Sequence, residues 1–504
     1  MFAGMTMLEH GIARSPVWIN DSAHWINCAM TGGGKFTTSL AFCEIFHPGC
    51  AVFTSPKPEL ADFGLGRRVD PRLFTRGRNS FSGQTMGVNP LGITKARYHI
   101  PNSRCFVLDP SGQSVYPSAR YNPLCEVDIR SDSARTRLLA IAAGSFPDKK
   151  GTRTDPWFVN TPRGLLAAGC GHALTSDPNP HNHSLPAVID MLMGVDSKTG
   201  VASPKQFEAT LKSMMANNSL DGFIRACASN VYQLGQRAFG NLYSEFENNC
   251  RWATDGPMRH HLSGSSEFSF SWLGDDNYPV TVFIVGYAGA KAFQANIPWL
   301  RTVSELGLEV LSTRPTTGRM PVLWCGDEYR SWGSELEGVR HGFTILRHKN
   351  VKLSLYTQSW QQLEDMFGAH GAAELESCST MQYFGCNDLP TAERISRRLG
   401  KCTTSKRRSW LSSERVHREV ELVTPAEVMQ ELRSSSNLQY VFPSSALPMR
   451  LERVAFKPLR TKDGGRFAGL PLEGHYDDGL NKHSFSRNNN TSTRSYQDER
   501  PSVW

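Results

Sequence analysis

An α/β fold with a largely parallel sheet, interrupted by an all-α block, follows from three observations. Short apolar runs bounded by turn residues recur near both ends of the chain, and several are followed by helical spacing. Between them lies a long stretch where apolar residues recur at helical intervals only. The 504 residues leave room for roughly two to four domains. Hydrophobic residues make up 39% before the 43 glycines are added, which excludes global disorder and a collagen-like chain. Lys and Arg number 55 against 47 Asp and Glu, a mild basic excess compatible with a polyanionic partner but too weak to establish one. The 12 cysteines are scattered without a CxxC pair, as reduced interior thiols of a cytoplasmic protein are. No apolar window reaches the length of a membrane span and no signal peptide opens the chain, so a soluble, cytoplasmic chain is expected.

The elements follow in order. Trp25 to Ala29, Ala51 to Thr54 and Cys105 to Leu108 are the first runs, and turn residues such as Pro48-Gly49 and Asp109-Pro110 bound them. Val280 to Val285, Val322 to Cys325, Val351 to Thr357 and Met381 to Phe384 come later. Continuous apolar runs of this length are strands covered on both faces, as in parallel sheets. Helical spacing follows over Glu335 to Arg347 and Ala392 to Leu399. From about Ser131 to Asn249 the spacing stays helical: Ala134, Leu138, Leu139 and Ile141, then Leu165, Leu166 and Cys170, then Phe223, Ile224 and Cys227. The Pro- and His-rich break Asp177 to His183 separates two of these helices. Past Leu459 the chain turns polar, with Asn488 to Asn490, and holds too few apolar residues to fold alone. The expected parts are therefore 1–130 and 266–459, forming one sheet, an inserted all-α domain at 131–265, and a disordered tail at 460–504.

Three pieces carry chemistry. Ala29-Met30-Thr31-Gly32-Gly33-Gly34-Lys35 directly follows the first strand, and its glycines allow a tight loop whose N–H groups face an anion. Thr31, Gly32, Gly33, Gly34, Lys35, Phe36 and Thr37 are the candidate nucleotide-binding residues, with Lys35 reaching the β- and γ-phosphates. The motif departs from the usual pattern at Ala29, where Gly is common, and at Phe36, where Ser or Thr follows Lys. Thr37 is then the nearest hydroxyl for Mg²⁺. In Val322 to Glu328 an apolar strand delivers two carboxylates, Asp327 for the Mg²⁺ shell and Glu328 to polarise the attacking water. Gln358 closes the next strand, where an amide orients water beside a γ-phosphate. Taken singly, each piece has a plain structural reading, as a tight turn, a surface strand end or a polar strand closure. Their order favours a RecA-like P-loop ATPase domain, and the helical block fills the 290 or so residues between Lys35 and Glu328.

The sequence also resembles the VirD4/TraG family of type IV secretion coupling proteins, hexameric ATPases of conjugation related to FtsK-type DNA pumps. The likeness runs from about Trp25 to about Lys457. It rests on the loop Ala29 to Lys35, Ser55-Pro56-Lys57-Pro58-Glu59-Leu60, Phe106 to Pro110, Arg120 to Leu124 and Asp155-Pro156-Trp157-Phe158. It continues through Asp327-Glu328-Tyr329, Gln358 to Leu363, Phe384 to Asp388, Thr391-Ala392-Glu393 and Thr424 to Met429. The family usually begins with two membrane-spanning helices, which this sequence lacks.

What the resemblance implies is an ATP-driven coupling protein of a conjugative type IV secretion system, working with ATP and Mg²⁺. Its expected partners are single-stranded DNA, relaxase and relaxosome proteins, and the ATPases and inner-membrane components of the secretion channel. A homo-hexamer at the cytoplasmic face of the bacterial inner membrane is expected. The resemblance also places Arg347 as an arginine finger reaching a neighbouring subunit's ATP. Lys406-Arg407-Arg408-Ser409-Trp410 combines basic and aromatic residues, as nucleic-acid contacts and solvated loops both do. Two rivals are a non-hydrolytic substrate receptor on the same fold and a FtsK/HerA-type DNA translocase outside secretion.

Overall fold

The computed structural model describes residues 1–5, 16–19, 21–47, 49–69, 104–147, 157–196, 199–254, 256–274, 279–286, 290–316, 320–332, 336–386, 388–407 and 415–453. The expected tail at 460–504, most of the stretch Phe63 to Arg104, the pair Asp155-Pro156 and the segment Arg408 to Trp410 lie outside the described residues.

In chain order the described strands are β1 (Phe2–Met5), β2 (Pro16–Trp18), β3 (His24–Cys28), β4 (Cys50–Ser55), β5 (Arg104–Leu108), β6 (Val280–Val285), β7 (Val322–Gly326), β8 (Val351–Thr357) and β9 (Ser379–Tyr383). A separate hairpin pairs β10 (Lys401–Arg407) with β11 (Arg415–Glu421), and β12 (Leu438–Phe442) and β13 (Met449–Glu452) follow. Eleven of them form one sheet in the order β2-β1-β13-β12-β9-β3-β8-β7-β4-β6-β5. From β9 to β5 every pairing is parallel, whereas β12, β13, β1 and β2 extend the sheet antiparallel. Every residue of β3, β4, β6 and β7 is buried. Strands covered on both faces need apolar residues throughout, which is why these four read as unbroken runs.

Seven α-helices lie between β5 and β6 among the described residues: Ala134–Ser145, Trp157–Ser176, Leu185–Leu192, Pro204–Met215, Phe223–Tyr232, Gln236–Cys250 and Gly256–Leu262. Their apolar faces join the sheet in one continuous core, in which Leu138, Leu166, Ile224 and Phe246 belong to the same cluster as Ile26, Val282 and Leu355. The joint is the crossing of Ala134–Ser145 against the helix Ala290–Ser312. A Cβ on Gly144 would stand 2.1 Å from Thr302 Oγ1 and 2.4 Å from Thr302 Cα, so the two helix backbones touch there.

Two helix boundaries differ from the spacing-based expectation. The helix expected over Glu335 to Arg347 runs Glu337–Ile345 and tightens into a 3₁₀ turn, Leu346–Lys349, that stops at Asn350 with φ 56°. Asn tolerates that left-handed conformation and so ends the element. The helix expected from Ala392 starts at Leu389, because the Asp388 side chain accepts the Thr391 N–H and Pro390 fits its first turn. Among the described residues no helix is long and apolar enough to cross a membrane.

Candidate functional site

Parallel strands send the segments after their C-terminal ends to one rim of the sheet, and the candidate residues emerge there. β3 leads into the glycine turn, β7 into Asp327-Glu328, β8 into Gln358 and β4 into Ser55. β8 lies between β3 and β7, so the Gln358 strand separates the glycine turn from the acidic pair by one strand spacing on each side. The turn is tied to its neighbours by backbone: Ala29 N–H donates to Thr357 O at 2.9 Å and Met30 N–H to Gly385 O at 3.2 Å.

Gly32 and Gly34 have φ of +75° and +88°, which side chains rarely adopt, and this lets the loop fold on itself with Gly33 N–H donating to Met30 O at 2.9 Å. The helix that follows opens as a π turn, Phe36–Leu40, before becoming α-helical over Ala41–Phe46. No backbone or side-chain acceptor takes the N–H of Gly32, Gly34 or Lys35 among the described residues. Thr31 is exposed at the loop tip. The Phe36 ring packs edge-on against Phe63 at 5.0 Å, away from the loop, which accounts for an aromatic residue directly after the lysine. Thr37 Oγ1 donates to Gly34 O at 3.4 Å.

Lys35, only 10% exposed, points across to the acidic pair. Its Nζ lies 3.9 Å from Asp327 Oδ1 and 4.0 Å from Glu328 Oε1. It is a buried ammonium without a hydrogen-bond partner among the described residues. Asp327 accepts the Glu328 N–H at 2.9 Å and the Ser55 hydroxyl at 3.4 Å. Burial raises the Asp327 carboxyl to about 6, because the nearby Lys35 charge opposes desolvation without overcoming it. Glu328 holds φ at +45°, strained for a non-glycine residue, and both the N–H and the hydroxyl of Ser331 hold its carbonyl at 2.7 Å. Gln358 is half-buried beside the turn, its side-chain oxygen taking the Gln362 amide at 3.2 Å.

Arg347 is not with the others. It lies in the 3₁₀ turn before β8, exposed, with Nε donating to Ser22 Oγ at 2.6 Å just ahead of β3. That is the opposite edge of the sheet, about 20 Å of strand from Gln358. Two groups near the turn escaped the sequence reading. Ser55 reaches Asp327 because β4 pairs with β7, whose Gly326 is in register with Thr54. Arg453 places its guanidinium on the carbonyl of Gly33.

The Asp327 carboxylate suits Mg²⁺ and the orphaned Lys35 ammonium suits phosphate oxygens, so the pair fits a polyphosphate accompanied by Mg²⁺, an ion that takes one or two carboxylates and completes its shell with phosphate and water oxygens.

The chain is similar to several known proteins. A family model described as type IV secretory system conjugative DNA transfer matches residues 93–460. The type IV secretion system-coupling protein VirD4 of Bartonella quintana (strain Toulouse) is 22% identical over 448 residues, covering 86% of this chain. This chain spans 63% of that relative's length. Among solved structures, the unbound bacterial conjugative coupling protein TrwB superposes with a TM-score of 0.59 at 15% identity, covering 87% of this chain and 86% of its own. TrwB in complex with ADP and Mg²⁺ gives 0.57 at 16% identity, covering 86% and 85%. The fold is the one these coupling-protein structures share, an α/β fold with a mostly parallel central sheet.

Proposed function

This chain belongs to the type IV secretory system conjugative DNA transfer family, and on that premise we propose that it is an ATP-driven coupling protein. It recruits relaxase and relaxosome proteins and pumps single-stranded DNA, with attached protein, towards a secretion channel. It works as a homo-hexamer at the cytoplasmic face of the inner membrane, against the channel's ATPases and inner-membrane components. One observation carries the reading: the buried Lys35 ammonium lies 3.9 and 4.0 Å from the carboxylates of Asp327 and Glu328, after a glycine turn with unpartnered N–H groups. That TrwB is known in complex with ADP and Mg²⁺ supports nucleotide as the ligand here.

The loop N–H groups and Lys35 bind the β- and γ-phosphates, replacing water by fixed donors that cost little reorganisation. Asp327 and Thr37 would hold Mg²⁺, which would offset the charge of the phosphates. Glu328, 26% exposed, takes a proton from the attacking water. Gln358 orients that water. Because its strand runs between β3 and β7, loss of phosphate is felt by both. Arg347 lies too far from this rim to act in its own subunit and serves the site of a neighbour in the ring. Exposed basic residues contact DNA through its phosphates, so binding weakens as salt rises.

The test is the ATPase rate with and without single-stranded DNA. The chain turns over ATP faster with DNA. Glu328→Gln retains ATP binding but loses about 100-fold or more in rate, the usual worth of a general base. Lys35→Ala loses both binding and turnover. Unchanged ATPase activity in Lys35→Ala removes the assignment. Wild-type protein that binds ATP without hydrolysing it, with or without DNA, makes the chain a substrate receptor instead of a motor.

A further inference from the structure

Arg453 follows β13 at the far end of the described chain, 420 positions from Gly33, yet its side chain lies against the glycine turn. It is 8% exposed. One terminal nitrogen, Nη1, donates to Gly33 O; Nη2 donates to Ser434 O at 2.6 Å, and Nε to Ser436 O at 2.7 Å. Its own N–H donates to Asn437 O at 2.6 Å, and its guanidinium stands 6.0 Å from the Phe384 ring centre. Three carbonyls in different directions suit a planar fork of donors, which an ammonium cannot reproduce.

The Gly33 carbonyl and the Gly34 N–H belong to one trans peptide and therefore point opposite ways. With the carbonyl held by Arg453, the Gly34 N–H is turned to the other side of the loop. Between two glycines that peptide has little of its own to fix it, since neither residue has a Cβ to restrict rotation. The guanidinium also brings a permanent positive charge to a loop whose ligand is an anion.

We propose that Arg453 is a positioning residue of the phosphate loop, locking the Gly33–Gly34 peptide so that the Gly34 N–H faces the nucleotide phosphates. This rests on the nucleotide-binding reading given above. It also makes nucleotide affinity depend on the segment Ser434–Arg453, and hence on the antiparallel strands β12 and β13 that carry it.

Binding of a fluorescent ADP analogue to Arg453→Ala, Arg453→Lys and Lys35→Ala, alongside each variant's urea midpoint, tests the proposal. The Lys variant keeps the charge and a donor for one carbonyl, so it retains the fold should the Ala variant lose it. Arg453→Lys is expected to bind ADP about tenfold or more weakly, as supporting hydrogen bonds of a site usually cost, while its urea midpoint stays near wild type. Wild-type ADP affinity in a folded Arg453→Lys or Arg453→Ala, with Lys35→Ala impaired, overturns the positioning role alone. Wild-type affinity in Lys35→Ala removes the phosphate loop itself, and the role of Arg453 with it.

Discussion

Lys35 stands close enough to Asp327 and Glu328 to feel both and too far to bond either. At 3.9 and 4.0 Å, and an effective dielectric near 20, each pair attracts by about 4 kcal/mol before desolvation is counted. The ammonium therefore stays aimed at the acidic pair with its donors free for an incoming oxyanion. Elsewhere the burial of single groups sets how the protein answers acid. His24 and His261 are buried and His47 half-buried, and desolvation lowers the values of His24, His47 and His261 to about 4, 3 and 3. His24 Nδ1 also accepts the Leu353 N–H at 3.0 Å, which a proton on that nitrogen would break. An unfolded His binds its proton near 6.5, so below that pH the unfolded chain holds more protons than the folded one. The contribution of these histidines to stability is thus level above pH 6.5 and falls as pH drops through 6.5 towards 4. In His24→Asn, whose amide oxygen can replace Nδ1 as acceptor, the loss of unfolding free energy between pH 7 and 5 should shrink by roughly 2 kcal/mol in urea titrations. An unaltered slope would mean that His24 does not titrate on unfolding.

Elements show where the sequence speaks clearly and where it is silent. The parallel strands are legible because both faces are covered, and Val280 to Val285 or Val322 to Cys325 can hardly be read otherwise. The added strands β1, β2, β12 and β13 are not. Pro16 stands in β2, an edge strand that tolerates it, and Arg450 in β13 is exposed, so no continuous apolar run announces them. The glycine turn, the acidic pair and the strand-ending Gln358 are local motifs and could be found by their order. The hydroxyl of Ser55 on Asp327 and the guanidinium of Arg453 on Gly33 depend on which strands become neighbours, which no local pattern states. The contact between Ala134–Ser145 and Ala290–Ser312 is of the same kind, since Gly144 looks like any helix glycine until Thr302 is set beside it. Gly144→Ala should destabilise by about 2–3 kcal/mol in urea unfolding, an overpacking cost with no flexible side chain to yield. Adding Thr302→Ala should not restore stability, because the backbone N and Cα of Thr302 stand 2.4 Å from the new methyl. Rescue by that second change would show that only the side chain was in the way.

For the whole molecule, the sheet divides the work between its two edges. The rim at the strand C-termini holds the residues proposed to bind nucleotide, and Arg347 lies at the opposite ends of the strands beside Ser22. In the proposed ring, such a subunit would offer a nucleotide to one neighbour and an arginine to the next, which is the head-to-tail contact that closes rings. Lys35→Ala and Arg347→Ala proteins, each inactive alone, should regain up to about a quarter of wild-type ATPase when mixed and reassembled, because random assembly pairs an intact loop with an intact arginine at one interface in four. Mixtures as inactive as the parents would deny Arg347 its role across the interface.

The distance in sequence between the parts of the rim has a consequence for biosynthesis. A ribosome that has made β3, β4 and β5 has exposed three apolar strands whose parallel partners will not emerge until the intervening helical block is complete. Asn27 must await Ser354, and Gly33 must await Arg453. Such late closure is slow and leaves nascent strands open to wrong pairing, so growing chains of this protein should be strong clients of chaperones. A message cut short just before codon 453 would then release a product able to build most of the sheet yet lacking the arginine that steadies its first loop.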